Sequence, residues 1–329
     1  MKLKILLFMF IWPIVAFSQL ENTKVKITDG ITDTYLKSKI ELGISSLLKS
    51  FNVAVINGNN PKIDNDLLSK TARNVLNDLW KTSPMTCPVS EINEICLTTS
   101  DGYQVRNIPV TMMNAEESDQ DQELVFSIDK HGKIYDISIA IDENKYTEIM
   151  SEHISVEDLF RRQVIVDFVE SYRTSYNRKD LEFIESVFSD NALIITGKVI
   201  KEKPKSDYAL RALSTERIVY QKRTKQEYIR NLKKVFSANK YINVLFDEVE
   251  VIQHPKLTDI YGVTLKQEWH SDKYSDVGFV FLMIDFQDEL HPLIQVRTWQ
   301  PEKLDGKVLD RDEVFNLGDF DIVRSLVND

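Results

Sequence analysis

Near its C-terminal end the sequence reads LIQVRTWQP, and strand alternation sets Leu293, Gln295, Arg297 and Trp299 on one face. Arg297 can pair with a carboxylate such as Asp285 or Glu268, or it can hold an anionic ligand. One strand pattern earlier, Gln267 and Trp269 share a face, and Glu268 with His270 share the other. Asp285 ends the face that carries Phe279, Phe281 and Met283. Far upstream, Tyr172 and Tyr176 fall four apart, so one helix face presents both phenols. A carboxyl held against an apolar wall has a raised pKa and becomes a usable base near neutral pH. On this reasoning Asp285, Glu268 and Tyr176 are the catalytic candidates. Tyr172, Tyr176, Trp269, Phe281, Arg297 and Trp299 are the ligand-binding candidates, with the two indoles as pocket walls. Each has a plainer reading: core aromatics with hydroxyls at a rim, a carboxylate at a strand end, a solvated strand face. No acid–base pair stands out from the spacing.

Other chemistries have less support. The chain has no GxSxG elbow, P-loop, HExxH or glycine-rich dinucleotide fingerprint. Its five histidines are scattered, and no pair within one element has metal-ligand spacing. No metal and no cofactor is expected. Cys87 and Cys96 bracket CPVSEINEIC, a spacing that fits no closed zinc site. In an oxidising compartment a structural disulfide is expected of them, stabilising by roughly 2–3 kcal/mol for so short a loop.

The ends and the charge narrow the setting. MKLKILLFMFIWPIVAFSQ carries a basic start, an apolar run and small residues Ala16 and Ser18 before a cut ahead of Gln19. That is the pattern of a secretory signal peptide over residues 1–18. The expected location is periplasmic or extracellular, with no stable membrane insertion. A formal net charge of −10 argues against nucleic acid and anionic surfaces, which select clustered Lys and Arg.

The elements that must position these side chains fall into two halves, 19–150 and 151–300, with a tail over 301–329. In the second half Phe160, Val164, Phe168, Tyr172 and Tyr176 trace a helix face. Asp180 caps a short helix through Leu181, Ile184, Val187 and Phe188. Ala192 to Thr196 reads as a strand, and 198–216 as a loop. Thr224 and Glu227 form a capping box before Tyr228, Leu232, Val235 and Phe236. Four strand patterns follow, over 241–253, 258–270, 277–286 and 293–299, separated by turn-rich breaks. Both faces of 277–286 are apolar, so a domain partner or a second copy is expected to cover the outer one. In the first half Leu36, Ile40, Ile44, Leu47, Leu48 and Phe51 line a helix. A second helix spans 67–80, and strands follow.

The run SYRTSYNRKDLEFIESVFSDNALIITG, the capped helix TKQEYIRNLKKVF and the closing LIQVRTWQP together resemble the nuclear transport factor 2-like superfamily, with its SnoaL-like and ketosteroid-isomerase-like members. The likeness is clearest over 157–300, and residues 30–148 read as a diverged second copy. It implies an α+β fold of tandem cones, each with helices packed on a curved antiparallel sheet. It does not imply one activity, because this scaffold hosts isomerases, dehydratases, cyclases and binding modules. The expected function is a non-catalytic module of a bacterial envelope that binds a small ligand or an envelope protein partner. The alternatives are an isomerase-, dehydratase- or cyclase-like enzyme using acidic or tyrosine side chains, and a structural homodimer through the sheet face. The tail, with Val314, Phe315, Leu317, Phe320 and Ile322, is expected to pack against the neighbouring domain rather than to be presented to a partner.

Overall fold

This computed structural model describes residues 23–115, 117, 120–201 and 216–322. The signal-peptide pattern lies outside them. The chain divides into two compact units, one of residues up to Met113 with Gln120–Ile137, the other of Asn114–Asp119 with Ser138 onward. The division therefore falls at 137/138 rather than at 150/151. The reason is packing: Ile141 and Ile149 belong to the core of the second unit.

The first unit begins with β1 (Lys24–Ile27), α1 (Thr34–Asn57) and α2 (Lys70–Thr82). Asp33 caps α1 by accepting from the amides of Tyr35 and Leu36, and Gly58 ends it at φ 63°, where a side chain would be strained. Its buried face carries the six apolar residues expected from the sequence. The strands are β2 (Met85–Thr86), β3 (Glu91–Glu94), β4 (Cys96–Thr98), β5 (Gly102–Met112), β6 (Asp121–Asp129) and β7 (Ile134–Ile139). Strands β2, β5, β6 and β7 form a sheet in that order, β4 pairs with β5, and β1 lies parallel to β3. The α+β layering is thus common to both units, but this sheet lacks the long-stranded plan of the second. Cys87 and Cys96 are buried free thiols, not the expected disulfide. Each is engaged locally. The Asn52 side chain holds the Cys87 backbone at both ends, and Cys96 is fixed opposite Val105 in the β4–β5 pair. Burial pushes both thiols up in pKa, Cys96 to about 11, so they are unreactive as they stand.

The second unit contains α3 (Glu143–Ser151), α4 (Val156–Asn177), α5 (Leu181–Ser186), β8 (Phe188–Lys201), β9 (Glu216–Arg223) and α6 (Lys225–Ala238). The meander β10 (Ile242–Gln253), β11 (Ile260–Ser271), β12 (Ser275–Asp285) and β13 (Leu293–Pro301) follows. The caps read from the sequence are present: Asp180 on α5, and the reciprocal Thr224–Glu227 box on α6. The six-stranded sheet runs β10-β11-β12-β13-β8-β9, antiparallel except where β13 meets β8. Strand β8 starts four residues before the expected Ala192. The Ser189-Asp190-Asn191 segment is absorbed as an irregularity between the Phe188 and Leu193 pairings instead of separating helix from strand.

This sheet has a core on each face. Helices α4, α5 and α6 cover the inner face, where Val244, Phe246, Tyr261, Val263, Leu265, Val280, Leu282 and Ile284 are buried. The outer face carries Ile260, Phe281, Met283 and Val296, and its cover is the chain's own tail. Phe320 stacks flat on Phe281 with ring centroids 5.5 Å apart, and Phe315 meets Tyr220 edge-on at 5.2 Å. Gln300 fixes the tail's path by accepting from the Phe315 amide at 2.7 Å and donating to the Glu313 carbonyl at 2.9 Å. Gly262 makes the socket for Leu317, since a Cβ there would sit 2.6 Å from Leu317 Cγ. So the chain's own tail supplies a cover for the second apolar face of this strand.

Gly262→Val should lever Leu317 out of this socket. Limited proteolysis should then cut between 309 and 322 at protease concentrations that leave the parent intact. Phe281→Ala should cost about 3–5 kcal/mol by urea unfolding, the usual range for a buried phenylalanine.

Candidate functional site

Helix α4 positions the site, and it is pinned along its length by polar groups. At its start the Asp158 carboxylate accepts from Tyr261 Oη at 2.7 Å and from Arg162 Nε at 3.2 Å. Burial alone would raise that carboxyl, but these bonds and the Ile154 amide outweigh it and hold it below the usual range. Arg161 donates to the Thr258 carbonyl and pairs with Glu289, and Arg162 reaches the carbonyls of Ile149 and Val251. Further along, Glu170 accepts from the Ile141 amide, Arg173 donates to the carbonyls of Ala140 and Val244, and Asn177 accepts from the Val244 amide. Most of these partners are backbone groups outside the helix, with Tyr261 on the sheet and Glu289 in the turn after β12, so the helix cannot rotate or slide without orphaning buried groups.

The opposite side of α4 presents Tyr172 and Tyr176 to the sheet. Their hydroxyls are 2.7 Å apart, and Tyr176 Oη lies 2.5 Å from Tyr228 Oη on α6. Arg297 enters this cluster from β13. It is only 4 % exposed, and its guanidinium lies 5.2 Å over the Tyr228 ring. Its Nε is buried with no hydrogen-bond partner. Among the described residues no carboxylate lies within ion-pair distance of it. Burial raises the Tyr172 and Tyr176 phenols far above their ordinary value, so both are neutral at any physiological pH.

Two indoles and a carboxylate stand toward the start of β12. Trp269 meets Tyr176 edge-on at 6.0 Å. Trp299 is partly exposed and lies over Gly278, where a Cβ would be 2.8 Å from its ring. Asp276 pairs in register with Trp269 and accepts from Tyr274 Oη at 2.6 Å. Burial raises its carboxyl, while the Tyr274 bond and the positive fields of Arg297 and His270 work the other way. The arrangement sets a fixed positive charge, phenolic hydroxyls and flat apolar rings beside one another.

Tyr172, Tyr176, Trp269, Arg297 and Trp299 therefore stand together. Phe281 does not join them: it faces the outer core under Phe320. Asp285 is also outside, with its carboxylate turned onto the Gln287 amide beyond the strand end. Glu268 alternates with Trp269, so it points away from the cluster, and its carboxylate lies 3.6 Å from His270. Neither acid pairs with Arg297. A bulge explains the one-face reading of β13. Met283 pairs with Val296 and Ile284 with Ile294, so Gln295 is extra and the inner set becomes Ile294, Arg297 and Trp299. Sequence reasoning missed Tyr228, whose place in a helical stripe signals only core, and Asp276, which sits in a turn-rich break.

The second unit thus places three helices on a curled sheet whose first strand runs parallel to its last, the helices-on-sheet layering that the resemblance implied. Solved structures similar to the chain include Bd1075 of Bdellovibrio bacteriovorus, at 14 % identity, covering 64 % of this chain and 75 % of that one, TM-score 0.33. An NTF2-like protein of Cytophaga hutchinsonii is 15 % identical, over 43 % of this chain and 97 % of its own, TM-score 0.31. ActVI-ORFA of Streptomyces coelicolor is 11 % identical, over 43 % and 96 %, TM-score 0.30. Scores this low carry no argument, and the architecture rests on strand order and helix placement. No family model matches the sequence, and no curated protein matches it.

The raised phenols make an alkaline prediction. A folded-state phenol that keeps its proton adds stability below the unfolded pKa of about 10 and loses it as pH rises beyond. Urea unfolding should therefore show stability falling from about pH 10 upward. Tyr172→Phe with Tyr176→Phe should flatten that fall.

Proposed function

We propose that the second unit is a non-catalytic binding module whose cone holds a small organic molecule. The observation that carries this reading is the chemistry of the cluster. Burial holds the Tyr172 and Tyr176 phenols in their protonated form beside a charged guanidinium, a set that offers hydrogen bonds and a fixed charge and suits binding better than proton transfer near neutral pH. The walls, Trp269 and Trp299, suit an apolar or aromatic body. We place the mature chain outside the cytoplasm on the pattern of residues 1–18. Among the described residues no helix is long and apolar enough to cross a membrane. An assembly role through the outer sheet face has less support, because the tail occupies that face.

One observation favours a catalytic alternative. Asp276 is a carboxylate with a raised pKa next to Trp269, the setting in which a carboxyl becomes a base. An isomerase- or dehydratase-like activity would use this group rather than Asp285 or Glu268.

Native mass spectrometry of the full chain, purified gently from its own source, separates these readings. The binding reading expects a retained small molecule, and Asp276→Asn should retain the same mass. An empty protein that travels with a second polypeptide would move the function to assembly. Accumulation of a different small molecule in Asp276→Asn would mark the parent as an enzyme.

A further inference from the structure

The binding reading leaves the ligand's chemistry open, and Arg297 narrows it. A buried cation is costly unless an anion or a full set of hydrogen-bond acceptors meets it. Elsewhere in this unit that rule is obeyed. Arg161 pairs with Glu157 and Glu289, and Arg162 with Asp158 and Glu152. Arg173 has two backbone carbonyls. Arg297 is equally buried, yet it has an orphaned Nε and, among the described residues, no carboxylate at ion-pair distance. What surrounds it is a ring face and the hydroxyls of tyrosines. The nearby acid whose titration it affects, Asp276, is engaged by Tyr274 at 2.6 Å.

Phenolic hydroxyls are ambivalent. They are linked to one another at 2.7 and 2.5 Å, and each can turn its proton toward an arriving acceptor. A guanidinium beside neutral phenols presents only donors to a planar anion, and that is the recognition set of a carboxylate. The indoles add a place for a flat apolar remainder.

We propose that the cone is a site for small organic carboxylates, preferably aromatic, with the carboxylate on Arg297 and the tyrosine hydroxyls and the apolar part against Trp269 and Trp299. This rests on the binding reading. The ligand's carboxylate would make the direct ion pair that no described carboxylate makes with Arg297.

Benzoate is the probe, with benzyl alcohol as its neutral match in shape. The full chain is melted with each at millimolar concentration, at constant ionic strength, while tryptophan fluorescence is followed. Benzoate should raise the Tm by about 2–4 °C and benzyl alcohol should not, as expected when a ligand binds only the folded state. Arg297→Met should abolish the rise, and Arg297→Lys, which keeps the charge but loses the fork, should keep part of it. Equal shifts with benzoate and benzyl alcohol would overturn the carboxylate assignment while leaving the cone a binding site. The absence of any benzoate shift in the parent would overturn it too, since the guanidinium and hydroxyls are already in place. A benzoate shift that survives Arg297→Met would put the anion elsewhere and also defeat the proposal. The parent's benzoate–alcohol comparison decides the matter even if a variant fails to fold. Native mass spectrometry that finds a retained neutral molecule would sustain the binding reading and sink this one.

Discussion

The second unit is organised around a buried positive charge with which no carboxylate among the described residues pairs. Arg297 lies in the middle of the inner core, among tyrosine, phenylalanine and tryptophan side chains, with its Nε unbonded. Around it stand the Tyr228 ring face and the Tyr172 hydroxyl, and the Asp276 carboxylate is near enough for the two charges to act on each other. Several neighbouring features can be traced to that one side chain. The bulge at Gln295 brings it into phase with the inner face. Gly278 leaves room for the Trp299 ring one inner position further along β13. The backbone ties of Arg173, Glu170 and Asn177 hold α4 so that Tyr172 and Tyr176 meet it.

Much of this architecture was legible in the sequence. The Tyr172–Tyr176 stripe, the Asp180 cap, the Thr224–Glu227 box and the four-strand meander all follow local rules, and the structure keeps them. What could not be read is where local rules are broken. A one-residue bulge reverses inside and outside, and nothing in LIQVRTWQP marks Gln295 as the extra residue. The polar side of α4, with Asp158, Arg161, Arg162, Glu170 and Arg173, looks solvated by its charge. It is buried because each group finds a partner far away in the chain. Phe281 had the right residue type for a pocket wall and the wrong parity for the inner face. Asp276 had no local signal at all.

The tail shows a different limit. Two apolar faces on β12 demanded a cover, and that much was visible. Whether the cover comes from a second copy, a neighbour or the same chain depends on long-range contacts that periodicity does not encode. Here the same chain supplies it, through a Phe320–Phe281 stack, a glycine socket and two bonds from Gln300. The outer core is therefore complete within one polypeptide. The inner core carries Arg297 with no described carboxylate at ion-pair distance.

The central claim is that no carboxylate among the described residues pairs with Arg297, and urea unfolding of Arg297→Met in ligand-free buffer tests it most directly. An uncompensated charge replaced by an apolar side chain of similar length should leave stability within about 1 kcal/mol of the parent, or raise it. A loss of about 3–5 kcal/mol, the amount expected when one member of a buried ion pair is removed, would show that the protein does supply the counter-charge and would contradict the account.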